Sequence, residues 1–312
     1  MAKLSVGGQA VIEGVMMRGP KDVATAVRDP NGRIQVETHP VSSIADRYPI
    51  LKKPMLRGTV SLVESLVLGL RSLSYSAKMA GDEDEQLTDK EMAGTIIFAL
   101  VLASILFIAI PTGAAKFFHF ITDDPVFLNL MEGFLRLAIF LAYIGGISRM
   151  KDIRRVFQYH GAEHKTIHCY EAGLPLTVAN VQRFSRLHPR CGTTFLLFVM
   201  SIAILLHTVL VPLLLLVWTP DSAVAKHLFT IAFKLLLMVP ISALSYELIR
   251  YAARLGDGFW GRILRAPGMF LQLLTTREPE LDQVEVAVAA LASAVGQHPP
   301  RLETPPTCNR SH

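Results

Sequence analysis

The feature that most constrains the fold of this chain is a stretch of 24 consecutive residues, from Met92 to Ala115, without a charged side chain. A helix needs roughly 20 mostly apolar residues to cross the hydrocarbon core of a bilayer, so this stretch predicts a membrane span. The composition agrees, because 51% of the residues are hydrophobic and only 18% are charged, below the ~25% of an ordinary soluble domain. We therefore do not expect a wholly soluble protein.

Three further segments are apolar enough to be spans. They are Val126–Ser148, Cys191–Pro220 and a segment from about Leu228 to Ile249. Glu132 and Arg136 interrupt the second span four residues apart, where they can form an ion pair on one helix face. Lys234 lies near the start of the fourth span, and its side chain can reach towards the nearer head groups. The sequence predicts a mainly α-helical integral membrane protein with about four transmembrane helices.

The distribution of Lys and Arg predicts the orientation of these spans. Residues 1–92 contain 12 of them, 149–190 contain 8 and the segment from residue 250 onwards contains 7, whereas 116–125 and 219–226 contain one each. Basic residues collect on the cytoplasmic side of a membrane protein, so both termini are expected in the cytoplasm. The net charge of +5 is then an orientation signal, and nucleic-acid binding is not expected.

The segments outside the spans predict smaller structured pieces. Residues 1–40 alternate in polarity like strands, with a turn at Val27–Ile34, and predict a small β element of two or three strands. Pro54–Ala80 has apolar residues at helical spacing and too many charges for a span, so we expect an interfacial or re-entrant amphipathic helix. The acidic run Asp82–Glu85 is expected to be a solvated linker. An amphipathic helix is expected beyond Gly256, and a second helix is expected at about Leu281–Val295.

These pieces divide the chain into three predicted parts. They are an N-terminal cytoplasmic part at 1–92, a four-span membrane domain at 93–249 with a histidine-rich cytoplasmic connection at 149–190, and cytoplasmic amphipathic helices with a disordered tail at 250–312.

The strongest chemical signal is His160-Gly161-Ala162-Glu163-His164, in the histidine-rich connection. The form H-x-x-E-H places two histidines four residues apart, on one face of a helix, so that both rings can bind one zinc ion. Glu163 would then be the general base that takes a proton from water. The sequence thus predicts His160 and His164 as metal ligands and Glu163 as a catalytic residue.

A second pair of ligand types follows at His188 and Cys191. With His160 and His164 these residues would form a closed structural zinc site, whereas three of the four with an open position would form a catalytic one. Glu247, at the predicted cytoplasmic end of the fourth span, is the alternative acidic ligand. Iron or manganese would fit a site with more carboxylates.

Three functions are compatible with these residues. The first is a zinc-dependent hydrolase at the cytoplasmic face, acting on a lipid head group or a peptide. The second is a transporter component with polar stations inside the membrane, for which the candidates are Glu132, Arg136, His207, Lys234 and Glu247. The third is a scaffold in which a metal only holds the connection in shape.

Several motifs resemble one known family. They lie in Gly7–Gly19, Arg57–Leu66, His160–Lys165, His188–Gly192, Ser245–Glu247 and Leu274–Pro279. In these segments the chain resembles the YqhQ-like family of bacterial membrane proteins, a family of unknown function that is sometimes described as metal-dependent enzymes. The resemblance extends from about residue 5 to 295 and implies a bacterial inner-membrane protein with a metal, without supplying a substrate. It groups Glu13, Arg18, Glu163, His164, His188, Cys191 and Glu247.

Overall fold

The architecture is described from a computed structural model for residues 6–81, 89–256 and 258–297. The predicted acidic linker and the predicted disordered end of the tail lie outside the described residues. Within them the chain is mainly helical, with a small antiparallel sheet near the N-terminus. Four of the helices are long and apolar enough to cross a membrane.

The sheet is a meander of four neighbouring antiparallel strands. They are β1 (Gly7–Val11), β2 (Gly14–Arg18), β3 (Asp22–Arg28) and β4 (Ile34–Pro40). The predicted turn between Val27 and Ile34 is confirmed, but the sheet has more strands than the two or three expected. The glycine-rich N-terminal segment forms an additional hairpin from β1 and β2. Its two-residue turn is Ile12–Glu13, and the backbone of Glu13 has a left-handed conformation with φ 49°.

The helices follow in chain order. The first five are α1 (Ile44–Arg47), α2 (Leu56–Ala80), α3 (Asp89–Ser104), α4 (Ile110–Ala115) and α5 (Pro125–Ile147). The next four are α6 (Lys151–Glu171), α7 (Val178–Gln182), α8 (Gly192–Val217) and α9 (Ala223–Leu236). The last three are α10 (Met238–Arg254), α11 (Phe259–Thr275) and α12 (Leu281–Ala294). Pro49–Lys52 and Lys116–Phe120 form 3₁₀ turns, and Ile105–Ala109 forms a π-helical turn.

One hydrophobic core joins the sheet to α6, α7 and α12, and we call this assembly the sheet unit. Helix α12 packs against β2, β3 and β4 on one side and against α6 and α7 on the other. Ten of its 14 residues are buried, so the helix that we expected to be amphipathic is enclosed on nearly all sides. Its small Val and Ala side chains permit this close packing. The core therefore combines residues from all three predicted parts of the chain.

The four apolar helices confirm the positions of the predicted spans. They run over Ala93–Ala114, Pro125–Ile147, Phe195–Val217 and Val224–Ala252. The fourth consists of α9 and α10, which meet at Leu237. Pro240 lies in the first turn of α10, where a helix tolerates the missing N–H group of proline.

The predicted Glu132–Arg136 pair is present, with the Arg136 Nη2 atom 2.6 Å from Glu132 Oε1. The expectation for Lys234 was wrong, because its Nζ atom lies 2.9 and 3.2 Å from the two Glu132 carboxylate oxygens. A buried carboxylate attracts a nearby ammonium group more strongly than distant head groups do, because few waters screen the pair.

Helix α2 connects the apolar helices to the sheet unit. Its small residues Gly69, Ser72 and Ser76 are buried, and Ser72 Oγ accepts a hydrogen bond of 3.0 Å from Thr25 Oγ1 in β3. The large side chains of α2 face outwards, with Leu66 60% exposed. The expected helix is therefore present, and its interfacial or re-entrant position in a membrane stays a prediction.

Candidate metal centre

Helix α6 holds the histidines of the H-x-x-E-H motif on one face. The rings of His160 and His164 are 4.4 Å apart between centroids, as the i, i+4 spacing of a helix requires. The motif is buried because Gly161 lies directly against the backbone of Arg277, where a Cβ atom would clash. The Arg277 N–H group donates a hydrogen bond of 2.8 Å to the Phe157 carbonyl oxygen, which fixes the following loop against α6.

Backbone carbonyl groups orient both motif histidines. His160 Nδ1 lies 2.8 Å from the Thr275 carbonyl oxygen, and His164 Nδ1 lies 2.6 Å from the Arg186 carbonyl oxygen. A carbonyl oxygen only accepts hydrogen bonds, so Nδ1 carries the proton in each ring and Nε2 keeps its lone pair. Metal-binding histidines are held in the same way, by a hydrogen bond from the nitrogen that does not touch the metal.

Cys191 completes a group of three ligand atoms. Its Sγ atom lies 3.2 Å from His160 Nε2, and the ligand atoms of Cys191, His160 and His164 lie within 4.8 Å of one another. Cys191 is fixed as the N-cap residue of α8, where its sulfur accepts a hydrogen bond from the Thr193 N–H group. Burial raises the pKa of the Cys191 thiol.

The chemistry of this donor set fits a metal ion. His164 Nε2 is buried and has no hydrogen-bond partner among the described residues, an arrangement that costs free energy unless something binds there. Two imidazole nitrogens and one thiolate are the ligands that zinc favours, and three protein ligands leave one position of its tetrahedral shell open.

Glu163 lies beside the three ligands. Its Oε2 atom is 3.8 Å from His160 Nε2, and burial raises the pKa of its carboxyl group to about 8. The Gly8 backbone donates a hydrogen bond to this carboxyl group. A Cβ atom at Gly8 would lie 2.9 Å from the Glu163 side chain and 2.7 Å from the Met16 carbonyl oxygen, so β1 approaches α6 this closely only with glycine at that position.

A pocket of about 240 Å³ opens at this group. Glu163, His164 and Cys191 line one side of it, and two arginines, Arg18 from β2 and Arg190, line it as well. Arg190 pairs with Glu171, whereas Arg18 has no ion-pair partner in the part of the chain that the structure describes. The pocket thus combines a ligand group, a buried carboxyl group and uncompensated positive charge.

His188 lies next to the ligand group but belongs to a different network. Its Nδ1 atom accepts a hydrogen bond of 3.3 Å from the Arg190 N–H group, so Nε2 carries the proton and faces Glu171 Oε2 at 3.6 Å. Burial lowers the pKa of His188 to about 4, which keeps the ring neutral. His168, Glu171 and His188 form a second cluster of metal-ligand types, but this tautomer offers no lone pair to it.

Two other residues of the predicted group lie in ion pairs elsewhere. Glu247 forms two hydrogen bonds of 2.7 and 2.6 Å with Arg57 of α2. Glu13 binds Arg155 and accepts a longer hydrogen bond of 3.3 Å from Tyr159 OH, which connects the first hairpin to α6. The structure brings together His160, Glu163, His164 and Cys191, and it places neither Glu13 nor Glu247 with them.

Sequence reasoning missed several groups that shape the centre. Gln272 is fully buried and holds the His188 backbone, accepting from its N–H group at 2.8 Å and donating to its carbonyl oxygen at 2.9 Å. The carbonyl groups of Thr275 and Arg186, which set the histidine tautomers, have no signal in the sequence because every residue carries the same backbone. Gly8 lies in the glycine-rich N-terminal segment, but the sequence does not reveal that it contacts Glu163 of α6.

Comparisons with known proteins identify relatives of unknown function. Residues 53–297 match a family described as "Protein of unknown function (DUF1385)". The chain is 34% identical over 296 residues to the uncharacterized protein YqhQ of Bacillus subtilis (strain 168), an alignment that covers 90% of this chain and 89% of the relative. No solved structure matches the chain.

Proposed function

The chain belongs to the DUF1385 family, which confirms the resemblance found in its motifs, and we propose that it is a zinc-dependent hydrolase of the bacterial inner membrane. The catalytic centre lies in the sheet unit, on the cytoplasmic side. Four helices span the membrane with both termini in the cytoplasm, because the basic residues collect in the segments on that side.

The observation that carries the proposal is the orientation of the two motif histidines. Both present a lone pair on Nε2 because both donate from Nδ1 to a backbone carbonyl oxygen. These two nitrogens and the sulfur of Cys191 lie within 4.8 Å of one another, and His164 and Cys191 line the pocket. A cluster of histidines that served only packing would not need a common tautomer with both Nε2 lone pairs turned towards one cysteine sulfur.

The residues around the ligands have distinct roles in the proposed reaction. Zinc in such a three-ligand site supplies a Lewis acid and an open coordination position. Glu163, whose carboxyl group lies beside the ligands and in the pocket, takes the proton of the attacking water. It does so in its ionised form, because the positive charge of a bound zinc ion would lower the pKa that burial raises. Arg18 binds an anionic group of the substrate, because its guanidinium group has a fixed charge and no partner among the described residues.

The pocket also indicates where the substrate comes from. Ser65 and Leu68 of α2 line it, and the same helix exposes Leu66 and Val67 on its outer face. An exposed apolar face of this kind lies in a membrane interface. The substrate is therefore an anionic molecule presented at the membrane surface, either a lipid head group or an acidic peptide segment.

Metal content tests the centre directly. Inductively coupled plasma mass spectrometry of the detergent-purified protein is expected to find zinc in the wild type, and to find none in His164→Ala or Cys191→Ser. His168→Ala is the matched control on the same helix face and should retain zinc. A wild type that takes up no zinc on reconstitution, or ligand variants that keep it, would contradict the proposal.

Catalysis is tested separately from metal binding. Glu163→Gln should retain zinc and fail to complement a deletion strain, whereas Glu171→Gln, in the neighbouring network, should retain most of the function. Full complementation by Glu163→Gln together with failure of Cys191→Ser would mean that the metal is only structural. In that case the scaffold hypothesis would replace the hydrolase.

A further inference from the structure

A buried group of charges lies among the apolar helices, away from the metal centre. Glu132 of α5 receives hydrogen bonds from Arg136, from Lys234 of α9 and, at 3.1 Å, from Thr112 Oγ1 of α4. Arg136 Nε also donates to the Phe107 carbonyl oxygen at 2.8 Å. Phe107 lies in the π-helical turn, and such turns are frequent at functional sites.

The charges of this group do not balance. Two cations, Arg136 and Lys234, face the single carboxylate of Glu132, and the three side chains are between 10% and 18% exposed. Glu132 and Glu247 are the acidic residues within the described candidate spans, and Glu247 pairs with Arg57. One positive charge is therefore left over in a region where water cannot compensate it.

His207 of α8 lies next to this excess charge. The ring is only 8% exposed, and neither ring nitrogen makes a hydrogen bond of ordinary geometry within the described residues. The backbone of Lys234 is close enough for a weak hydrogen bond to the ring. A neutral imidazole always carries one N–H group. The buried imidazole is stabilised by a better acceptor and the uncompensated cation by a negative charge, and an anionic head group supplies both.

A cavity of about 230 Å³ lies where these groups meet. Arg136, His207 and Lys234 line it, and its other walls are apolar. Ile231 and Leu235 also line it and are 42% and 60% exposed, so the cavity reaches the outer surface of the helices. Since a water molecule takes roughly 30 Å³ of liquid, the space holds an anionic head group and the first carbon atoms of a chain.

We propose that this cavity binds an amphipathic anion, with a carboxylate or phosphate head group between His207, Lys234 and Arg136 and its hydrocarbon chain along the outer face of the helices. The head group accepts the His207 N–H bond and balances the excess cation. The apolar walls and the lateral opening favour an amphiphile over a bare inorganic anion. The inference takes the four apolar helices as spans and is independent of the metal centre.

Binding of radiolabelled dodecanoate to the full-length protein in a neutral sugar detergent tests this proposal. The expected result is saturable binding that dodecyl phosphate displaces, and that dodecanol and inorganic phosphate do not. Displacement by dodecanol at equal concentration would show that charge is not recognised. Displacement by inorganic phosphate would show that the hydrocarbon chain is not recognised. Either result would overturn the proposal.

Variants locate the binding site. Lys234→Met and His207→Leu are each expected to weaken dodecanoate binding about tenfold, the value of one charge-assisted hydrogen bond. Lys226→Met removes an exposed lysine from the same helix and should leave binding unchanged. Lys234→Met keeps Glu132 paired with Arg136, so it should fold even if His207→Leu does not. Wild-type affinity in a folded Lys234→Met protein would refute the site.

Discussion

Helix α12 in the sheet unit and helix α8 among the apolar helices differ in which side chains they bury. In α12, Val284 and Leu291 are completely buried. In α8, Leu205 and Leu213 are 63% and 54% exposed, whereas the polar residue His207 is buried. The large apolar side chains are inside in the first case and outside in the second.

The difference is the one expected of two regions in two solvents, water for the sheet unit and, as proposed above, hydrocarbon for the apolar helices. In water, burial of apolar side chains stabilises the folded chain, and the sheet unit follows this rule. In hydrocarbon that driving force between helices is absent, so small and polar side chains form the contacts. Helix α2 belongs to both regions, because it buries Gly69 and Ser72 and exposes Leu66.

The largest effect is expected from a charge in the core of the sheet unit. Leu291→Asp places a carboxylate where no water or partner can reach it, so the sheet unit should unfold. Leu281→Asp is the control, since Leu281 is 59% exposed at the start of the same helix. Limited proteolysis in detergent should show rapid cleavage of residues 6–40 in the first variant alone. Equal resistance of both variants would contradict the core described here.

Among the apolar helices, the largest loss is expected from Glu132→Leu. It leaves Arg136 and Lys234 buried without a counter-charge, which costs about 3–5 kcal/mol. Lys234→Met removes the excess cation and should leave the melting temperature in detergent unchanged or higher. Both variants break the contact between Glu132 and Lys234. A similar fall of the melting temperature in both would mean that charge balance does not stabilise the helices.

A smaller effect is expected where β1 meets α6. Gly8→Ala puts a methyl group against Glu163 and the Met16 carbonyl oxygen, and overpacking of this kind costs about 1–3 kcal/mol. Gly7→Ala is the control, because a Cβ atom at Gly7 would have no atom within 4 Å apart from those of its chain neighbours. It should leave the free energy of unfolding unchanged. The free energy of unfolding in urea measures both. A neutral Gly8→Ala would show that the strand can move away from the metal centre.

The smallest effect is expected on the outer face of α2. Leu66→Gln changes an exposed side chain, so stability in detergent should change by less than about 0.5 kcal/mol. In vesicles of anionic lipid, the same variant should increase the accessibility of a cysteine probe placed at Val67. A large loss of stability in detergent would mean instead that Leu66 packs against protein.

The local patterns that depend on near neighbours were predictable. The four apolar helices of membrane-spanning length, the hairpin turn after Val27 and the Glu132–Arg136 pair all depend on residues close in sequence, and each is present. The spacing of His160 and His164 also predicted their shared helix face. The zinc ion and the hydrolase activity stay predictions.

What depends on distant residues was not predictable. Helix α12 has apolar residues around most of its circumference, and the sequence does not reveal that the sheet lies on one side and α6 on the other. Lys234 lies 102 residues after Glu132, so the sequence offers only the nearer head groups as a partner for its side chain. Arg57 was not considered as a partner of Glu247, because 190 residues separate them.

The burial of α12 sets the order in which this protein is completed during synthesis. The last strand ends at Pro40 and α12 begins at Leu281, so residues 41–280 leave the ribosome between them. At about 5–20 residues per second, this interval lasts roughly 10 to 50 seconds. Throughout it the face of β3 and β4 that packs against α12 lacks this helix. The core of the sheet unit is thus completed only after residues 41–280, with the four apolar helices among them, have been made.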